Sequence, residues 1–313
     1  MTTLLYHHPA AEAHETPPGH PERSDRIRAV MKALSAPEFA SLDRREAPVG
    51  READILHAHA PEHLARVKAA TPAEGWSRLD ADTYMSPATL EAALRCVGGA
   101  VAATDAVFAK EADNAFVAMR PPGHHAERRR AMGFCFFNAV AIAAYRARRK
   151  HGAERVAVID FDVHHGNGTQ DIFWDDASLF YGSTHQFPFY PGTGAREETG
   201  VGNIVNAPLP AGAGSKEFRQ AMEELILPSL KRFSPDFLII SAGFDAHRED
   251  LLGGLTLSEP DFAWATLRLL EQADKSCAGR VVSVLEGGYD LAALASSATV
   301  HVRALMRGSD TSQ

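Results

Sequence analysis

Cysteine is scarce in this chain. Its three cysteines, Cys96, Cys135 and Cys277, stand far apart, so they make neither a Cys-x-x-Cys metal knuckle nor a disulfide framework. Buried, reduced thiols in a cytoplasmic protein are the expectation. Basic charge is in deficit as well. The 32 lysines and arginines face 40 aspartates and glutamates, for a net charge of -8 and a pI near 6.0. That balance disfavours a nucleic-acid surface. No apolar run approaches the roughly 18 residues that a membrane span requires. The opening Met1-Thr2-Thr3-Leu4-Leu5-Tyr6-His7-His8 lacks a basic segment followed by an apolar stretch, so no signal peptide is expected. No repeat, low-complexity segment or compositional break marks a linker, which predicts a single domain over 1–313.

What is present is an ordinary globular composition, 45% hydrophobic and 23% charged. Short apolar, β-branched runs alternate with longer helical patterns. Strands are predicted at 3–8, 114–119, 155–162, 178–184, 203–208, 236–242 and 280–285. Helices are predicted at 21–35, 61–70, 87–110, 136–150, 215–232, 258–275 and 290–306. Ser86-Pro87 reads as a cap with proline at the first helical position, and Ser258 precedes Glu259 and Asp261 as a second cap. Arg146 to Lys150 place cations at a helix end, with Gly152 beyond. The alternation predicts an α/β fold with a mostly parallel sheet covered on both faces.

One stretch carries the chemistry: Asp160-Phe161-Asp162-Val163-His164-His165-Gly166-Asn167-Gly168-Thr169. It follows the apolar strand at 155–159. On an extended strand Asp160, Asp162 and His164 would share a face, with Phe161 and Val163 turned into apolar packing. Ligand sites in open α/β sheets lie at such carboxyl ends. Three further strand ends carry unusual residues: Arg120-Pro121-Pro122-Gly123-His124-His125, Gly243-Phe244-Asp245-Ala246-His247 and Glu286-Gly287-Gly288-Tyr289-Asp290. In a parallel sheet all these loops open on one edge.

Two carboxylates and an imidazole suit zinc, manganese or ferrous iron. Asp162, His164 and Asp245 are the nearest such set, and three protein ligands leave a coordination position open, as catalytic sites do. Two aspartates neutralise a divalent cation, so a separate general base is needed. His124 and His125 are the candidates, because Pro121-Pro122-Gly123 gives them a rigid approach. Asp160 and Asn167 could each orient one imidazole. His7-His8 and His165 read as structural, and Arg128-Arg129-Arg130 as a solvated loop. Tyr289 is either a turn tyrosine or a donor to a developing oxyanion. Gly133-Phe134-Cys135 and Tyr190-Pro191-Gly192-Thr193-Gly194 present aromatics on glycine-flanked turns, as core residues or as walls of an apolar channel.

Together Arg120 to His125, Gly133 to Cys135, Asp160 to Thr169, Ser241 to Asp245 and Leu285 to Tyr289 resemble the zinc-dependent histone deacetylase superfamily. That superfamily also holds acetylpolyamine amidohydrolases and acetoin-utilisation proteins. The resemblance runs from Gly19 to Tyr289. It implies the arginase/deacetylase three-layer α/β/α fold and hydrolysis of linear amide C–N bonds. Asp162, His164 and Asp245 are then the zinc ligands, with ferrous iron as the other metal this set accepts. His125 resembles the general base and His124 its electrostatic partner, held by Asp160. Asn167 stands where class I deacetylases have aspartate, so that dyad is class II-like. Tyr289 matches the tyrosine that polarises the scissile carbonyl. Phe134, beside Gly133, and Tyr190 match the aromatic pair flanking the substrate's methylene chain. Asp82 matches a rim residue, Arg23 is placed by an internal acetate pocket, and Leu252 stands where polyamine-selective relatives use glutamate. The resemblance further implies a structural potassium ion near Asp160, Asp162, His164 and the Ser183-Thr184 turn.

The implied substrate is acetylated lysine in a peptide or protein, or a small acyl amide, with no nucleic acid or membrane as partner and the oligomeric state left open. An acetylpolyamine amidohydrolase is the alternative enzyme. A non-catalytic acyl-binding protein should have lost a ligand or the tyrosine, and all are present.

Overall fold

The runs Asn114–Val117, Val156–Asp160, Phe237–Ala242 and Val281–Leu285 are buried at every position. Strands with no solvent face belong inside a parallel sheet sandwiched by helices. The computed structural model, which describes residues 1–308, has that architecture. Residues 309–313 of the expected domain lie outside the described residues.

Eight strands form the sheet: β1 (Thr3–His7), β2 (Asp43–Glu46), β3 (Asn114–Val117), β4 (Val156–Asp160), β5 (Leu179–Gln186), β6 (Ile204–Leu209), β7 (Phe237–Ala242) and β8 (Val281–Leu285). Their spatial order is β2-β1-β3-β8-β7-β4-β5-β6, and every neighbouring pair is parallel. The four loops singled out in the sequence leave β3, β8, β7 and β4, four consecutive strands at the middle of the sheet. Alternation along β3 reveals the two covering layers. Phe116 meets His301 on the Leu291–Arg307 helix, with ring centroids 5.5 Å apart. Val117 meets Gly99 on the Thr89–Phe108 helix, where an added Cβ would lie 3.1 Å from Val117.

Several expectations need correction. Asp43–Glu46 was not predicted, because its four residues are all charged and only half-buried in alternation. Charged residues suit an edge strand, and β2 is one. The helix expected over 215–232 is three pieces: Ser215–Ala221, a π-helical turn at Met222–Ile226, and Leu227–Phe233. Pro228 has no N–H for the regular ladder, and the wider turn stands just ahead of it. The helix after Ser86 begins at Thr89, so Pro87 precedes the helix instead of opening it; the Ser86 N–H donates to Thr89 Oγ1 at 2.8 Å. By contrast, Ser258 and Asp261 form a capping box, and Gly152 ends Ala139–His151 with φ at +70°. Among the described residues no helix is long and apolar enough to cross a membrane.

Candidate active site

β4 ends at Asp160, so Asp162 and His164 do not share a strand face as the sequence suggested. A turn brings them together instead. The Asp162 N–H donates to Asp160 Oδ1 (3.1 Å) and the His164 N–H to Asp162 Oδ1 (2.9 Å), each carboxylate folding the chain two residues on. Phe161 and Val163 are buried, as expected. Asp245, beyond β7, accepts from the Val163 N–H at 2.8 Å, and the Gly287 N–H donates to Asp162 Oδ2 at 2.9 Å. One ligand atom from each of Asp162, His164 and Asp245 lies within 4.8 Å of the others.

The surroundings fit a divalent cation. Glycines wall the triad: a Cβ on Gly243 would lie 2.0 Å from Asp162 Oδ2, and one on Gly287 would lie 2.1 Å from Asp245 Oδ2. The buried charge is unbalanced without a cation. Burial opposes protonation of His164, but hydrogen bonds to Asp162 and Asp245 outweigh it and hold the imidazole at about 10. Burial and the Asp162 charge push Asp245 up to about 7. A proton on His164 thus occupies the electrostatic place of a metal, which would displace it on binding.

The two candidate base histidines are driven apart. His124 Nδ1 lies 3.0 Å from Asp160 Oδ2, and His125 Nδ1 lies 2.7 Å from Asn167 Oδ1. Burial disfavours charge on both. Asp162 and Asp160 overcome it for His124, whose pKa stands well above the usual imidazole value. At His125 burial is reinforced by His124 and His164, and the pKa falls well below that value. A charged and a neutral imidazole side by side, ring centroids 4.0 Å apart, have distinct acid–base roles open to them.

A cavity of about 460 Å³ opens above these groups. His125, His164 and Tyr289 form its floor, Phe134, Phe189 and Tyr190 its sides, and Asp82, Leu251 and Leu252 its mouth. Gly133 and Phe134 take φ of +57° and +69°, and a Cβ on Gly133 would sit 2.5 Å from His125 Cδ2. That turn needs glycine to press on the imidazole. Of the predicted site residues, Asp82, His125, Gly133, Phe134, His164, Tyr190, Leu252 and Tyr289 line the cavity, whereas the orienting Asp160 and Asn167, the buried His124, Asp162 and Asp245, and Arg23 do not. His165 is structural, bonded to Thr193 Oγ1 (2.7 Å) and Gln170 Oε1 (3.1 Å) beneath the loop that carries Tyr190.

Sequence reasoning missed Phe189, whose ring stacks on His164 at 5.4 Å. It also gave no role to Glu286, which accepts from the Gly123 and His124 N–H groups at 2.6 and 3.1 Å and so ties the β3 loop to β8. Asp250, two residues before Leu252 at the mouth, turns inward and accepts from the Tyr289 and Asp290 N–H groups at 2.6 and 3.0 Å.

The arginine near the floor is Arg26, not Arg23. Arg23 is half exposed beside Asp25. Arg26 is fully buried, donates to the carbonyls of Gly288 and Glu286, and lies 4.7 Å from the Tyr289 ring centroid. The difference is one of helical register. Arg26 shares the inward face with Ile27 and Val30, while Arg23 precedes the Ser24–Ala33 helix. Burial raises the Tyr289 phenol well above its usual value against the opposing Arg26 charge, so it remains a donor.

Glu22 anchors this floor, accepting from Arg26 and Arg120 and facing His14. Burial would raise its carboxyl, but Arg120 and His14 hold it well below the usual range. The resulting stabilisation is full above the unfolded value of about 4.3 and is lost as pH falls through it toward the folded value. Glu22→Gln is expected to cost about 3–5 kcal/mol near neutrality, since it leaves buried cations unpaired. Denaturant unfolding across pH should show the mutant less acid-sensitive than the parent; equal sensitivity would contradict the assignment.

Fold and site define a class: a three-layer α/β protein with a buried carboxylate–histidine cluster, able to hold a cation, at the floor of a largely apolar cavity. Comparison with known proteins supplies the family. Residues 20–305 match the histone deacetylase domain. A probable deacetylase of Archaeoglobus fulgidus is 38% identical over 319 residues, covering 100% of this chain and 88% of that protein. A histone deacetylase-like amidohydrolase of Pseudomonas aeruginosa is 40% identical over 286 residues, covering 90% and 74%. The solved HDA15 HD domain superposes with a TM-score of 0.92 at 35% identity, covering 98% of this chain and 90% of that one. The chain belongs to the histone deacetylase family, as a deacetylase or amidohydrolase.

Proposed function

We propose that this protein is a zinc-dependent hydrolase that removes acetyl or related acyl groups from the ε-amine of lysine, with residues 1–313 acting as one domain. The carrying observation is the Asp162-His164-Asp245 triad, ligand atoms within 4.8 Å, on a tunnel floor shared with His125 and Tyr289. Zinc held by the triad would polarise the amide carbonyl and acidify water, and ferrous iron suits the same ligands. Neutral His125 takes a proton from the attacking water through Nε2, its Nδ1 being held by Asn167. Charged His124, held by Asp160, stabilises the departing nitrogen. The Tyr289 phenol donates to the carbonyl oxygen as charge develops there. The amine leaves protonated and acetate remains. Phe134 and Tyr190 flank the alkyl chain. A structural potassium ion would sit by the 160–164 loop and Ser183-Thr184, where the buried Thr184 Oγ1 has no hydrogen-bond partner among the described residues.

Leu251 and Leu252 at the mouth, with Asp250 turned inward and Asp82 as the one acid among the described residues lining the cavity, favour a neutral peptide over a cationic polyamine. The test is turnover of an acetyl-lysine peptide and N-acetylputrescine side by side by the zinc-loaded protein. Faster hydrolysis of the peptide is expected. Preference for the polyamine would overturn the lysine assignment, and turnover of neither would overturn the deacetylase reading.

A further inference from the structure

Asn167 is a neutral partner for His125, and a neutral amide can be turned either way. With Oδ1 toward His125, the imidazole must carry its proton on Nδ1 and keeps a lone pair on Nε2. With Nδ2 toward His125, Nδ1 must accept, the proton moves to Nε2, and the base is lost. Something outside the dyad has to choose.

The structure places a carboxylate there. Asn167 Nδ2 donates to Glu127 Oε1 at 2.7 Å, while Asn167 Oδ1 faces His125 Nδ1 at 2.7 Å. A flipped amide would set its oxygen against the Glu127 carboxylate. Glu127 is itself held. Its carbonyl accepts from His59 Nδ1 at 2.9 Å, and its N–H donates to the Arg130 carbonyl at 2.9 Å. The His59 tautomer is settled in turn, because its Nε2 accepts from the Asn138 N–H at 2.9 Å. Glu127 is half-buried beside Asp171, Asp80 and Arg130, and Arg130 pairs with Asp80 at 3.0 Å.

We propose that Glu127 is a positioning residue for the reaction, supplying through Asn167 the carboxylate that the His125–Asn167 dyad lacks and locking His125 with its Nε2 free. This rests on the reading of His125 as the base. It makes His125, Asn167 and Glu127 a three-residue relay, with the negative charge one side chain further from the imidazole than in the His124–Asp160 pair.

A cycle of variants separates this role from simple support of the loop. Glu127→Ala is expected to lower kcat about 10–100-fold, the usual cost of removing a partner behind a functional side chain, with KM within about threefold. Asn167→Asp alone sets two carboxylates against each other and should also lose activity. Combined with Glu127→Gln, the same change gives His125 a direct carboxylate facing a neutral amide. The double variant should therefore be more active than Asn167→Asp alone. Two structural lesions would instead multiply. A second readout does not depend on turnover: ¹⁵N shifts of the His125 ring in the zinc-loaded protein, assigned with His125→Ala. These should show a protonated Nδ1 in the parent and a mixture of tautomers in Glu127→Ala. Near-parental kcat and ring shifts in Glu127→Ala, or a double variant no more active than Asn167→Asp alone, would overturn the proposal. Unimpaired turnover by His125→Ala would instead overturn the reading on which it rests.

Discussion

Replacing Asp245 by asparagine is expected to lower turnover by about 10³-fold or more and to empty the metal centre while leaving the fold intact. The substitution keeps an oxygen for the Val163 N–H, which Asp245 Oδ1 accepts at 2.8 Å, but puts an NH₂ where the second oxygen faces His164. An amide nitrogen has no lone pair to give a metal. Metal polarisation is worth several kcal/mol of transition-state charge, and each 1.4 kcal/mol is about tenfold in rate. Without metal the change should be mild, because burial and Asp162 push the Asp245 carboxyl up to about 7 and mark excess negative charge in the site. Metal analysis and circular dichroism on the purified variant check both halves. Full metal content with parental turnover would remove Asp245 from the ligand set.

Tyr289→Phe should lower kcat by about 10²–10³, the typical effect of deleting one oxyanion donor. KM and metal content should change little. Among the described residues the phenol has no hydrogen bond to lose: the ring rests on Arg26 at 4.7 Å, and its turn is held through backbone N–H groups by Asp250. Phenylalanine keeps both contacts. An interaction made only in the transition state lowers kcat and kcat/KM together. Loss confined to KM would mean that Tyr289 binds substrate and does not stabilise the developing charge.

The sheet's middle was legible because β3, β4, β7 and β8 are apolar, β-branched runs that end in glycine and charged residues. Their spatial order was not, since which parallel strands pair depends on contacts far apart in sequence. The charged edge strand Asp43–Glu46 carried no apolar signal at all. In the site, the residues named from the sequence do come together, but by a different route from the one expected. Asp162 and His164 meet Asp245 through a turn built on carboxylate-to-backbone bonds, not through strand pleat. Arg26 could have been preferred to Arg23 from the i, i+4 spacing with Glu22 and its place beside Ile27 and Val30. Phe189 stood next to Tyr190 in the sequence, but which of two adjacent aromatics stacks on His164 is decided by the loop's path. The link from Glu127 to Asn167 joins residues forty apart and shows only when the two loops are side by side.

The most direct test of the account is to strip the protein of metal and titrate it with zinc while measuring acetate released from an acetyl-lysine peptide. Activity should be absent at first, rise in proportion to zinc and level off at one ion per chain. Turnover by the metal-free protein, or none at any zinc level, would contradict a single Asp162-His164-Asp245 centre as the seat of the reaction.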